Sequence, residues 1–135
     1  MAGVFTTPIR VRWGEVDAQG VVFNPNYFVY ADVAATEFFR AAGVMSGDHP
    51  DMGQSYVVDA RASFRASARF DDLLDVQVSV PRIGRSSYDL RVEIRRDGDL
   101  LTEVSLTYVR ALDGRSEPLS EAYRAILSAV VLPRD

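Results

Sequence analysis

The sequence predicts an α+β fold in which an antiparallel sheet of five strands wraps one long central helix. Two observations carry this. Several runs alternate strictly between apolar and polar residues and are joined by short links, and one long apolar helix interrupts them early in the chain. Ile9, Val11 and Trp13 open the chain as a first strand. Asn24 then supplies a helix N-cap and Pro25 the first helical position, where its missing N–H is not needed. A residue before proline is steered away from the helical region, which an N-cap also requires. The helix is expected to run to Ala42 and to stop at Gly43. Phe28, Ala31, Ala35, Phe39 and Ala42 form one apolar stripe. Tyr27, Tyr30, Ala34, Phe38 and Ala41 form a second beside it, and only Asp32, Thr36, Glu37 and Arg40 are strongly polar. A helix so apolar around its girth is buried on most sides.

The strands follow. Ala60, Ala62, Phe64, Ala66, Ala68 and Phe70 alternate with Arg61, Ser63, Arg65, Ser67 and Arg69, the pattern of a half-buried strand. Its inner face is mostly alanine, so a bulky element can approach it closely. Val76, Val78 and Val80 mark the next strand, Tyr88, Leu90, Val92 and Ile94 another, and Val104, Leu106 and Tyr108 the last. The links Arg82 to Ser86 and Asp97-Gly98-Asp99 are too short for a parallel crossover, so neighbours are antiparallel. A weaker helix is expected at Ser120 to Val131. A single sheet with a polar outer face covers the helix from one side only. Tyr27, Tyr30 and the second stripe then need another cover, and a homodimer, or a tetramer made of two, would supply it.

The length of 135 residues suits one domain, residues 1 to 135, and the 47% hydrophobic content suffices for a core. A net charge of −4 weighs against a nucleic-acid partner, which needs a basic surplus. The absence of cysteine excludes disulfides, thiolate nucleophiles and cysteine-bound zinc. Met1 to Pro8 lacks the basic start and apolar run of a secretory leader, and no apolar stretch is long enough to span a bilayer, so a cytoplasmic location without a membrane partner is expected. Asp71, Asp72 and Asp75 read as a turn before a strand, and His49 as a loop residue, so neither a metal site nor a resident cofactor is expected.

The segment Trp13 to Tyr27 carries the chemistry: Trp-Gly-Glu-Val-Asp-Ala-Gln-Gly-Val-Val-Phe-Asn-Pro-Asn-Tyr. Asp17 stands three residues before Gly20, Val21-Val22-Phe23 follow, and Asn26-Tyr27 enter the helix. With the Asp71-Asp72-Leu73 step, this set resembles the 4-hydroxybenzoyl-CoA thioesterase branch of the hotdog superfamily along nearly the whole chain. The resemblance implies a hotdog fold, an acyl-CoA substrate whose coenzyme A is part of the substrate, and active sites between subunits. It makes Asp17 the carboxylate that attacks the thioester carbonyl or activates water. A thioester is electrophilic enough for a carboxylate plus an oxyanion donor to suffice. That donor would be the backbone amide of Asn24, at the positive end of the helix dipole. Several relatives carry histidine where this chain has Asn24, which leaves the amide in place but removes an acid or base. From the residues alone, Asp17 could equally shape a surface turn.

Relatives place basic residues for coenzyme A at the strand junction Arg82-Ile83-Gly84-Arg85-Ser86-Ser87, and Arg85 aligns with one of them. Arg82, Arg85 and Ser86 are therefore the candidate nucleotide contacts, with a solvated hairpin as the alternative. Asp32, two helical turns beyond Asn24, could face a polar acyl group or pair with Arg40 or a partner subunit. Glu15 reads as a solvated strand end, or as a charge standing behind Asp17. The competing functions are a thioesterase on carrier-protein-bound acyl chains, which would not need Arg82 and Arg85, and a non-catalytic acyl-CoA-binding subunit, against which the presence of Asp17 counts.

Overall fold

A computed structural model describes residues 4–129. In chain order the elements are β1 (Phe5–Arg10), α1 (Pro25–Ala41), α2 (Pro50–Gly53), β2 (Ser55–Phe64), β3 (Leu73–Ile83), β4 (Ser87–Arg96), β5 (Asp99–Leu112), β6 (Arg115–Ser116) and α3 (Glu121–Ser128). The sheet runs β1-β3-β4-β5-β2, antiparallel throughout, with the two-residue β6 pairing only to the end of β5. The Asp97-Gly98 link is a two-residue turn with both residues at positive φ, which pairs Arg96 with Asp99.

Alternation in β3, β4 and β5 sends one face inward, as expected. Leu74, Val76, Val78 and Val80, then Tyr88, Leu90, Val92 and Ile94, then Val104, Leu106 and Tyr108 are buried beneath α1. The helix answers with Tyr27, Tyr30, Ala31, Ala34, Ala35, Phe38 and Phe39. Its alanines let the axis lie close to the sheet, and its rings fill the flanks. Truncating Phe38 to alanine would cost about 3–5 kcal/mol, the usual loss for a buried ring.

Four expectations need correction. First, the second helix stripe, apart from the exposed Ala41 at its end, is covered within the chain. Tyr27, Tyr30, Ala34 and Phe38 are buried within the chain, because the sheet curls around the helix. The exposed apolar face is instead Phe28, Val29 and Val33. Second, Trp13 is not on a strand: β1 ends at Arg10 and Trp13 opens a 3-10 turn, 74% exposed. Third, the alternating run from Ala60 does not stay in one strand to Phe70. Arg65 and Ala66 both donate to the carbonyl of Leu101, β2 ends, and the chain leaves the sheet. Most of β2 is exposed at the edge of the sheet, with Phe64 at its end meeting the Tyr27 ring of α1 edge-on at 5.4 Å. Fourth, Asn24 is not an N-cap of the ordinary kind. Its backbone is helical (φ −48°, ψ −44°) and its side chain caps nothing.

The C-terminal helix starts where expected, with the Ser120 hydroxyl accepting the Tyr123 N–H. Its described span ends at Ser128, and the part of the expected helix at Val130 and Val131 lies outside the described residues. It is tied down by a fully buried carboxylate. Asp51 accepts from the Ser120 N–H and Oγ, each at 2.8 Å, and from Arg110. The Tyr88 and Tyr123 hydroxyls meet at 2.9 Å beside it. Among the described residues no helix is long and apolar enough to cross a membrane.

Candidate active site

The chain from Glu15 to Phe23 doubles back on itself as a small hairpin. The Phe23 N–H donates to the Glu15 carbonyl, Val16 bridges Val22, and the Asp17 N–H donates to the Val21 carbonyl. The Gly20 N–H returns to the Asp17 carbonyl at 2.9 Å and closes the turn. Gly20 sits at φ +80°, a conformation that any side chain would strain, so the glycine is part of how the turn forms. The hairpin is stitched to the segment after β2: the Val22 N–H donates to the Ala68 carbonyl, and Val21 bridges Arg69. The Tyr27 hydroxyl in turn accepts the Ala68 N–H, locking that segment to α1.

This hairpin presents Asp17, which is partly buried. Its Oδ1 accepts the Gln19 N–H at 2.8 Å, so the turn-shaping role is real for one oxygen. Oδ2 has no hydrogen-bond partner among the described residues. Beyond Phe23 the chain passes directly into α1: Asn26 and Tyr27 donate to the carbonyls of Phe23 and Asn24. The N–H of Asn24 donates to no protein group among the described residues, and it stands at the positive end of a 17-residue helix. The hairpin thus carries a carboxylate with one free oxygen and leads into a helix whose Asn24 N–H is unpaired among the described residues.

Glu15 is the residue that sequence reasoning undervalued. It is not a solvated strand end but 9% exposed. Its Oε1 accepts the Arg12 N–H and the buried Tyr30 hydroxyl, at 2.8 and 2.9 Å. Its Oε2 accepts from the Arg12 guanidinium, with the closest nitrogen at 2.6 Å. Burial pushes the Glu15 carboxyl up, but the Arg12 amide and guanidinium and the Tyr30 hydroxyl outweigh it and hold it below the usual carboxylate range. Burial and Glu15 together raise the Tyr30 phenol, which therefore stays a donor. The Arg12 to Glu15 spacing was visible in the sequence. The Tyr30 contact spans 15 residues and needed the fold.

The other expected site residues lie elsewhere. Arg82, Arg85 and Ser86 stand at the far end of β3, an eleven-residue strand about 33 Å long. The Asp17 hairpin meets the chain just before that strand begins. Arg82 is exposed but already paired within the protein. Its guanidinium grips both oxygens of Asp89, at 2.9 and 3.1 Å, and the Ser87 hydroxyl. It folds back across Gly84, where a Cβ would stand 2.7 Å from its nitrogen. Arg85 is exposed, and its side chain has no hydrogen-bond partner among the described residues. Its carbonyl accepts the Leu119 N–H, and the Ser86 carbonyl accepts the Arg110 N–H. Asp32 is exposed on α1 beside Phe28, Val29 and Val33, and does not pair with Arg40, which binds Glu37. Burial, then Tyr88, then Asp32 raise the Tyr108 phenol. Asp72 is engaged by Arg69 and Arg96, as a turn residue would be.

A curled antiparallel sheet wrapped around one long helix is the architecture of a hotdog fold. The chain belongs to the Thioesterase superfamily, whose family model matches residues 19–103. That match begins two residues after Asp17. The chain is 28% identical to the 4-hydroxybenzoyl-CoA thioesterase of a Pseudomonas species over 100 residues, 71% of each chain. It is 26% identical to the acyl-CoA thioester hydrolase YbgC of Escherichia coli over 138 aligned positions, covering 95% of this chain and 93% of the relative. The solved structure of a predicted thioesterase from Bacillus stearothermophilus superposes with a TM-score of 0.85 at 22% identity, covering 98% of this chain and all of that one, and shares its fold.

Proposed function

We propose that the protein is a cytoplasmic acyl-CoA thioesterase that hydrolyses an acyl-CoA to free acid and coenzyme A, with Asp17 as its catalytic carboxylate. The observation that carries this is the state of Asp17: one oxygen fixed by Gln19, the other without a partner, on a hairpin that leads into the helix carrying the unpaired Asn24 amide. In this reading the thioester carbonyl accepts a hydrogen bond from the Asn24 N–H, which strengthens as negative charge grows on the oxygen. Asp17 then either attacks the carbonyl carbon, expelling the thiolate and leaving an anhydride that water cleaves, or takes a proton from an attacking water. Both routes end in acid and thiol and need no further cofactor. The names of the relatives support coenzyme A as the thiol.

The active unit in this reading is a homodimer built through β2, or a tetramer of two such pairs. Strand β2 is an edge of ten residues carrying exposed Tyr56, Val57, Val58 and Phe64, and Phe28, Val29 and Val33 are exposed on α1. Antiparallel pairing of two β2 edges sets the Ser55 end of one against the Phe64 end of the other. The Ser55 end lies beside Arg110 and hence Ser86, and the Phe64 end leads to Ala68 and the Asp17 hairpin. Arg85 and Ser86 of each copy would then serve the carboxylate of the other, and Asp32 would face the acyl group. One observation favours a second reading. Because Asp89 holds Arg82, only Arg85 is left for the nucleotide, which suits an acyl chain carried on a protein. A panel of aliphatic and aromatic acyl-CoAs and acyl-carrier proteins, followed by thiol release with wild type and Asp17→Asn, separates the readings. Turnover of acyl-CoA that vanishes in the variant is expected. Turnover by a folded Asp17→Asn would remove Asp17 from the mechanism.

A further inference from the structure

We propose that Glu15 is a positioning residue that fixes where the Asp17 carboxylate points. This rests on the reading of Asp17 as the catalytic carboxylate. Glu15 is two residues upstream of Asp17 and holds the hairpin at three places. Its carboxylate joins Arg12 to Tyr30, its carbonyl accepts the Phe23 N–H on the returning strand, and the same carbonyl accepts the Asn26 side-chain amide at 2.9 Å. Tyr30 and Asn26 are both on α1, so one residue ties the Asp17 arm to the helix that carries the Asn24 amide. A buried carboxylate is costly unless its lone pairs are met by donors, and here the donors come from both parts whose relative position matters. A neutral residue could fill the space but would not draw Arg12 and the Tyr30 hydroxyl to one point. The angle between a nucleophile and an oxyanion donor is a transition-state property, and a displacement of about 1 Å costs about a hundredfold. Loosening this strut therefore slows chemistry and leaves substrate affinity nearly as it was.

The test uses Glu15→Gln, Tyr30→Phe and Asp17→Asn, alone and combined, with folding checked by circular dichroism and melting. Glu15→Gln should lower kcat about thirtyfold with KM within about twofold, equally for an acyl-CoA and for the matching acyl-N-acetylcysteamine. Tyr30→Phe keeps the ring and removes one donor, so kcat should fall about threefold to fivefold. In the Asp17→Asn background, Glu15→Gln should change the residual rate by less than about twofold, because the residue acts through a carboxylate that is no longer there. Full kcat in folded Glu15→Gln, a loss confined to KM, or a thirtyfold loss added on top of Asp17→Asn would each overturn the proposal. If Glu15→Gln does not fold, Tyr30→Phe decides by the same readings. The Asp17→Asn single variant is measured separately, so a failure of Asp17 as the catalytic group is told apart from a failure of Glu15 as its support.

Discussion

The two ends of β3 carry charged turns that look equally promising in sequence and differ in what their neighbours leave free. At one end Asp17 has one oxygen engaged by Gln19 and one without a partner, with the load of holding the turn borne by Glu15. At the other end Arg82 spends its guanidinium on Asp89 and Ser87 across the hairpin. A charge is available to a substrate only when another residue has taken over its structural task. Residue type and spacing mark the candidates, and the hydrogen-bond partners decide between them.

The sharpest way to break this contrast is to neutralise one carboxylate at each end. Asp17→Asn should cost at least about a hundredfold in turnover with melting close to wild type, the scale seen when a principal group is lost. Asp89→Asn should leave turnover within about threefold and lower stability by about 1 kcal/mol, since the pair it breaks is partly exposed. Steady-state kinetics and thermal melts on both variants check this, and the reverse pattern would invert the comparison. The next effect tests whether the two ends meet across subunits. A charge at the edge, Val58→Asp, should shift sedimentation toward the monomer and lower kcat/KM for acyl-CoA about tenfold or more. A fully active monomer would refute shared sites.

Smaller effects sharpen the picture at the arginines. Arg85→Ala should raise KM for acyl-CoA several-fold, about 1 kcal/mol, and leave the matching N-acetylcysteamine thioester unchanged. Arg82→Ala should act mainly on stability. A KM effect larger at Arg82 than at Arg85 would mean that substrate displaces Asp89. The smallest effect is on acid stability near the Asp17 hairpin. Burial raises the Asp72 carboxyl, but the Arg69 amide and the Arg96 guanidinium outweigh it and hold it below the usual range. Its contribution is therefore present above the usual carboxylate pKa and lost as pH falls through the lowered value. The melting difference between wild type and Asp72→Asn should shrink as pH falls through and below the usual carboxylate range. A difference that stays constant would exclude the linkage.

Much of the fold was legible because the alternation in β3, β4 and β5 maps directly onto burial, and Asp97-Gly98 allows only a tight turn. The misreadings share a cause. Alternation at Ala60 to Phe70 reports two faces but not where an edge strand lets go of its only partner, and that was decided by the paired bonds to Leu101. Stripe counting on α1 could not say how far the sheet curls, so Tyr27 and Tyr30 looked uncovered while Val29 and Val33 passed unnoticed. At the candidate site, the turn that Gly20 closes and the entry into α1 at Pro25 were legible from the motif. The place of Glu15 was not, because its buried partner Tyr30 is remote in sequence. Nor was the capture of Arg82 by Asp89, which rests on a hairpin register no local pattern specifies.

The strand order also sets a schedule. Strand β2 is made before β3, yet its sole sheet neighbour among the described residues is β5, which ends at Leu112. During synthesis, Tyr56, Val57, Val58 and Phe64 wait with both edges open until most of the chain has emerged, because closing so long a loop must precede the pairing. Once β5 docks, one edge is satisfied and the other remains. The same strand is thus the last long strand to join its own sheet and the first surface ready for a second copy, so a delay in the β4–β5 hairpin would expose nascent chains to each other through the strand they are proposed to share.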